Sequence, residues 1–360
     1  MHIINRTLIN WYKLNKRDLP WRNSTDPYLI WVSEIILQQT RVNQGLEYFN
    51  RFIKKYPTII HLANAPIDDV LKLWQGLGYY SRARNMHFTA KKIATDYSGK
   101  FPDNYIDIKK HKGIGEYTAA AIASFCFNEQ VPVVDGNVYR FLARLFGIFE
   151  STQSVKGKKY FFEKAKSLID NKNPGEFNQA IMEFGALQCT PKNPDCSVCL
   201  FKLSCYAYTN SVIEQLPVKK SKIKTTSRYF YYFIIIYQDK LFIEQRKEND
   251  IWKLLYQFPL IETKMHLETE EIVKNELWKK LFEGIEPEFL NISDLYKHQL
   301  SHQTIFAHFY SIKINKVSQY LLNNYLTIKK QDINKYGIPR LIEKYTSKFF
   351  NKKNEVLPLI

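Results

Sequence analysis

No apolar run in this 360-residue chain approaches the roughly 20 residues that cross a bilayer. The longest, FIIIY at 233–237, is flanked by Tyr and Gln in the manner of a strand. The chain also opens without a basic-then-apolar signal segment, so an oxidising compartment is not indicated and disulfides fit poorly. Acidic residues are in short supply, 35 Asp and Glu against 52 Lys and Arg, which leaves a formal charge of +17. That imbalance weighs against a neutral metabolite and favours a polyanionic partner, nucleic acid ahead of an acidic membrane surface. Internal repeats and low-complexity tracts are lacking as well. These absences predict a soluble cytoplasmic protein with no membrane partner.

Cysteine is scarce, with five in the chain, but four of them are close together. Cys189, Cys196, Cys199 and Cys205 are separated by six, two and five residues, compact enough to wrap one inorganic cofactor. A structural zinc site usually shows two Cys-x-x-Cys knuckles, whereas here one such pair is flanked by single cysteines. The spacing favours a four-iron iron–sulfur cluster, with zinc as the alternative. Cys126, in the apolar run AAAIASFCF, reads as a small buried side chain.

The length suggests about two domains. Up to about residue 205 apolar residues recur at three- and four-residue steps, as in Tyr28, Trp31, Val32 and Ile35, which predicts a set of short helices. A stretch with a proline and four lysines, 212–227, reads as a basic linker. Beyond it, RYFYYFIIIY, LFIEQR and TIFAHFYSIKI predict strands, the last alternating Phe306, His308, Tyr310, Ile312 and Ile314 on one face. LETEEIVKNELWKKLF predicts a helix among them, so the second half is α+β.

Several residues can carry chemistry. Gly113 and Gly115 bracket one apolar residue before a helix, a turn whose free backbone N–H groups suit a phosphate, although an ordinary helix–helix turn reads the same way. Ala119, Ala120, Ala121 and Ala123 keep the following helix thin. Asp135 precedes a helix and either caps it or does chemistry, with Arg140 and Arg144 expected on that helix's polar side. Glu34, Gln38 and Arg41 fall on one stripe of an otherwise apolar helix. Partial burial there would raise the pKa of Glu34 and make it a proton donor, the alternative being a surface pair with Arg41. GLGYYSRARN mixes glycine, tyrosine and arginine in a way that suits stacking on bases or a packed aromatic turn.

Taken in order, SEIILQQT, GLGYYSRARN, KGIGEYTAAAIASF, VVDGNVYRFLAR and the cysteine spacing resemble the helix-hairpin-helix DNA glycosylases that carry a four-iron cluster, over nearly all of 5–207. Within that superfamily the resemblance is to the adenine DNA glycosylase (MutY) family, with endonuclease III as the near alternative and a non-catalytic DNA clamp as the distant one. The resemblance implies an all-α helix-hairpin-helix domain at 1–211 with a [4Fe-4S] loop at 189–205, a linker at 212–227 and an α+β Nudix-like domain at 228–360. It implies a monomeric bacterial, nucleoid-associated enzyme acting on double-stranded DNA with adenine opposite 8-oxoguanine or guanine.

Endonuclease III places a Schiff-base lysine two residues after the second hairpin glycine; Tyr117 stands here, which implies a monofunctional glycosylase. The family's catalytic glutamate falls on Glu34, Asp135 would stabilise the sugar cation, and Tyr117 and Asn137 would position them. By the same resemblance Arg22 should contact the base pocket or nearby backbone, and Gln39 and Tyr79 should wedge the base stack. Ser301 and His302 should hold 8-oxoguanine, and Lys192 and Lys202 should meet phosphates. Two departures stand out: Leu300 replaces the phenylalanine of the family's Phe-Ser-His turn, and His111-Lys112 precedes the hairpin glycines. The Nudix Arg-Glu-x-x-Glu-Glu core is absent, which implies recognition without hydrolysis.

Overall fold

The structure, a computed structural model, describes residues 3–218 and 225–351. Residues 219–224 of the expected linker lie outside the described residues, and the last residues expected for it open the first strand. The chain divides into two compact units, Met1–Asn64 with Asn85–Ser221, and Ala65–Arg84 with Lys222–Ile360.

In the described residues, the first unit is helical, as the periodicity predicts. Its Pro27–Leu37 helix starts where Asp26 caps the Tyr28 amide, with Pro27 fixing the first turn, and it is buried nearly all round. It ends at Leu37. Gln39 has φ 58° and Arg41 caps the next helix, Val42–Lys55, so Glu34, Gln38 and Arg41 do not share one helical stripe. The hairpin glycines sit as expected. Gly113 has φ 82°, and a Cβ there would lie 2.6 Å from the Asn85 Cβ, so glycine answers both backbone and space.

Gly115 caps the Glu116–Phe127 helix, whose buried alanines let neighbours approach its backbone. At Gly175, on the Pro174–Leu187 helix, a Cβ would stand 2.7 Å from the Ser124 oxygen. Phe141, Phe161, Phe177, Phe184 and Phe201 fill the core between that helix and Gly136–Phe146.

The second unit is built on a mixed sheet of β1 (Thr226–Tyr237), β2 (Lys240–Gln245), β3 (Tyr256–Gln257), β4 (Leu260–Thr263), β5 (Glu288–Ile292), β6 (Tyr296–Gln299), β7 (Gln303–Lys313) and β8 (Leu326–Lys329). The order is β3-β2-β1-β7-β5, with β4 on β1, β6 on β7 and β8 on β2; β1 and β7 run parallel. The alternation expected along β7 holds only partly, because Ile305, Ala307 and Phe309 on the other face are also buried. Both faces are covered: Trp278 and Phe282 pack one side, and Tyr345 of the Arg340–Asn351 helix stacks on Phe309 at 4.3 Å on the other. The expected long helix over 267–282 is two short ones, Thr269–Lys274 and Glu276–Leu281. Asn275 adopts φ −64°, ψ 143° between them and caps the second through its side chain.

Candidate active site

Helices and loops of the first unit enclose a cavity of about 390 Å³ whose wall carries Arg22, Glu34, Gln39, Tyr117, Asp135 and Asn137. Gly113 and Gly115 form their turn elsewhere in that unit, while Tyr79, Ser301 and His302 belong to the second unit.

Glu34 is buried on the central helix, and the Tyr117 hydroxyl donates to its Oε2 at 2.6 Å. Desolvation raises its pKa to about 7, opposed by that hydrogen bond and by Arg22, and reinforced by the negative charge of Asp135. A carboxyl poised there holds a proton near neutrality and can give it up.

Asp135 does cap its helix. Its Oδ1 accepts from the Asn137 and Val138 amides at 2.9 and 2.8 Å, and its Oδ2 from Asn137 Nδ2 at 2.7 Å. Burial pushes this carboxyl up, while those three donors and Arg140 act to keep it ionised. Capping therefore does not exclude chemistry: the bonds that start the helix also place this carboxyl at the cavity wall. Gly185 allows the close approach here, since a Cβ at that position would lie 2.7 Å from the Asn137 oxygen.

A third carboxylate went unrecognised in the sequence. Glu183 is buried and receives Arg17 Nε and Nη2 at 2.9 and 2.6 Å and Arg22 Nη1 and Nη2 at 2.7 and 2.5 Å. Burial alone would raise it, but Arg22 and Arg17 hold it down at about 2. Environment alone thus drives two carboxyl groups of one cavity in opposite directions, Glu34 up to about 7 and Glu183 down to about 2. The signal was available: glutamate inside the apolar run QAIMEFGAL is out of pattern in the same way as Glu34.

Arg140 and Arg144 do not lie on a polar face; both are buried. Arg140 Nε donates to the Cys189 oxygen at 2.7 Å, and its Nη2 to the Gly185 oxygen and to Asn137 Oδ1 at 2.5 and 2.9 Å. Arg144 donates to the Thr190 oxygen at 2.7 Å and to the Ile213 and Leu216 oxygens at 3.1 Å, with Nη1 3.5 Å from Cys189 Sγ. Each arginine satisfies carbonyls that the irregular cysteine loop cannot pair within itself.

Cys189, Cys196, Cys199 and Cys205 line one cavity walled by Phe141, Phe184, Phe201 and Ile213. Among the described residues no group of three or more His, Cys, Asp or Glu closes around a single metal ion. Four thiols around an apolar space are nonetheless a soft donor set, suited to iron–sulfur or zinc chemistry. No helix among the described residues is long and apolar enough to cross a membrane.

Comparison with known proteins agrees with this geometry. Residues 32–170 match the model of the HhH-GPD superfamily base excision DNA repair proteins, and 231–348 match the NUDIX domain. The structure of a thermostable thymine-DNA glycosylase superposes with TM-score 0.54 at 28% identity, covering 58% of this chain and 96% of that one. An adenine DNA glycosylase of Buchnera aphidicola subsp. Schizaphis graminum is 35% identical over 352 residues, 96% of this chain and 98% of its own. Another, from Buchnera aphidicola subsp. Baizongia pistaciae, is 37% identical over 324 residues and 89% of each chain. With a helical unit built around Glu34 and Asp135, and relatives matched along nearly their whole length, the chain belongs to the adenine DNA glycosylase family.

Proposed function

We propose that the protein removes adenine mispaired with 8-oxoguanine or guanine in double-stranded DNA, hydrolysing the N-glycosidic bond without cutting the strand. The observation that carries this is the pairing of a Glu34 poised near pH 7 with a hydrogen-bonded Asp135 in one cavity. A flipped adenine enters that cavity at an unstacking cost of a few kcal/mol. Glu34 gives its proton to N7, the C1′–N9 bond breaks with its electron pair going to adenine, and Asp135 stabilises the oxocarbenium-like sugar. Water adds to C1′ and its proton restores Glu34. Tyr117 holds one oxygen of Glu34, Asn137 orients Asp135, and no lysine amine stands at position 117 to form an imine.

In this reading 1–211 is the catalytic domain, 212–227 a basic linker and 228–360 the domain that reads 8-oxoguanine. Gly113 and Gly115 hold a phosphate, Arg22 borders the base pocket, and Gln39 and Tyr79 enter the base stack. Both of the last two are exposed and sit at positive φ, 58° and 48°, a strained state for non-glycine residues that fits a contact made on demand. Ser301 and His302 are exposed in the three-residue turn joining β6 to β7. Replacing both with alanine should lower the preference for adenine opposite 8-oxoguanine over adenine opposite guanine by about tenfold, compared as single-turnover rates at subsaturating enzyme. An unchanged ratio would reject this role.

Cys189, Cys196, Cys199 and Cys205 would hold a [4Fe-4S] cluster, whose contribution is structural: it folds the loop that carries Lys192 and Lys202 toward phosphates. The variant Cys196→Ala with Cys199→Ala should lose iron, measured per chain by elemental analysis, and bind duplex more weakly. Full iron content would contradict the assignment.

A further inference from the structure

The second unit includes a segment, Ala65–Arg84, that the chain supplies from between two helices of the first. Several hydrogen bonds fasten it to the rest of that unit. In the helix Ile67–Leu73, Asp68 Oδ1 accepts from Gln245 Nε2 at 2.9 Å and its Oδ2 from the Tyr256 hydroxyl at 3.2 Å. Gln245 and Tyr256 are cross-strand partners of β2 and β3, so one carboxylate bridges both strands. One turn on, Lys72 Nζ donates to the Tyr336 oxygen at 3.1 Å, and at the segment's end Arg84 Nη1 donates to the Lys253 oxygen at 3.0 Å.

Between Lys72 and Arg84 lies a turn at positive φ, with Gly76 at 99°, Gly78 at 72° and Tyr79 at 48°. Trp74 Nε1 braces it through the Gly78 oxygen at 3.1 Å, and the Arg82 guanidinium lies over the Trp74 and Tyr79 rings. The Tyr79 hydroxyl meets Ser301 Oγ at 2.6 Å. The aromatic ring and the serine are thus joined on one compact body.

We infer that Asp68 is a positioning residue for mispair discrimination: it registers the Tyr79 segment against the sheet, so that Tyr79 and Ser301 meet the same nucleotide together. This rests on the proposed reading of the Leu300-Ser301-His302 turn. Of these fastenings the Asp68 bridge is the one made to strands β2 and β3, while Lys72 and Arg84 hold the segment to the Tyr336 and Lys253 carbonyls and the internal braces keep it folded. Removing the bridge therefore loosens register without dismantling the segment.

The test uses the intact, cluster-loaded enzyme and duplexes carrying adenine opposite 8-oxoguanine or guanine, with single-turnover rates followed as enzyme concentration is varied. Asp68→Ala should reduce the preference for the oxidised mispair about fivefold, through the half-saturating concentration, with the saturated rate within about twofold of wild type. Combined with Ser301→Ala it should cost little more preference than Ser301→Ala alone, because both act on one contact. Additive losses, or a preference unchanged in Asp68→Ala, would overturn the inference. Tyr256→Phe removes one donor from the other side and should shift the preference the same way by a smaller factor; it decides the matter if Asp68→Ala does not fold. Wild-type enzyme that does not distinguish the two mispairs would instead overturn the proposed role of the turn.

Discussion

Glu34→Gln should slow adenine release by about 10²–10⁴-fold, the range that a positioned proton donor contributes. Glutamine has the same size and keeps a carbonyl oxygen for the Tyr117 hydroxyl, so the packing of the central helix should survive. What it cannot do is surrender a proton to N7. The pH dependence follows from the same group. Desolvation raises the Glu34 pKa to about 7, so the acid form prevails below that pH and the carboxylate above it. In the proposed mechanism the protonated form is the active one, so the wild-type rate should fall as pH rises through about 7, while the residual rate of the variant should lack that limb. Single-turnover rates across pH with an intact mispaired duplex measure both.

The second large effect separates charge from structure at Asp135. Asparagine is as good a helix cap as aspartate, so Asp135→Asn should leave the Asn137 and Val138 amides satisfied and lose only the bond from Asn137 Nδ2, a smaller cost in unfolding free energy than loss of the cap. It removes the negative charge that faces the developing sugar cation, and the rate should drop by about 10²–10³-fold. Asp135→Ala should match that loss of rate and also cost about 1 kcal/mol of stability, because the cap goes too. Denaturant melts beside single-turnover rates resolve the two contributions. An Asp135→Asn enzyme as fast as wild type would mean that Asp135 only caps.

Much of this architecture was legible before any coordinates. Helical periodicity, the break near residue 212 and the strand-like second half came from local pattern, and the hairpin turn from two glycines whose backbone and space constraints the structure shows at Gly113. Glu34 was visible because a carboxylate inside an apolar helix is out of place. What local pattern could not carry was partnership between distant segments. Arg140 and Arg144 look like surface residues on a helical wheel; their burial depends on the Cys189 and Thr190 carbonyls, 49 and 46 residues away. Glu183 depends on arginines about 160 residues distant, and without them an acid at that site would read as an error of pattern.

Likewise, nothing in GLGYYSRARN says that it packs with the later half of the chain, since Tyr79 and Arg84 find their partners 222 and 169 residues on. The split at Asn275 is the converse case. A continuous polar–apolar rhythm over 267–282 suggested one helix, but an asparagine that can cap is also an asparagine that can interrupt.

Hydrolytic release of adenine by the cavity of the first unit can be measured in one experiment. The most direct measurement incubates the cluster-loaded enzyme with a duplex carrying one adenine opposite 8-oxoguanine, in parallel with and without borohydride, and assays free adenine, strand scission and trapped adduct together. Adenine should be released, the strand should stay intact until alkali is added, and borohydride should trap nothing. Duplex that keeps its adenine, or a borohydride-trapped protein–DNA adduct, would contradict this mechanism.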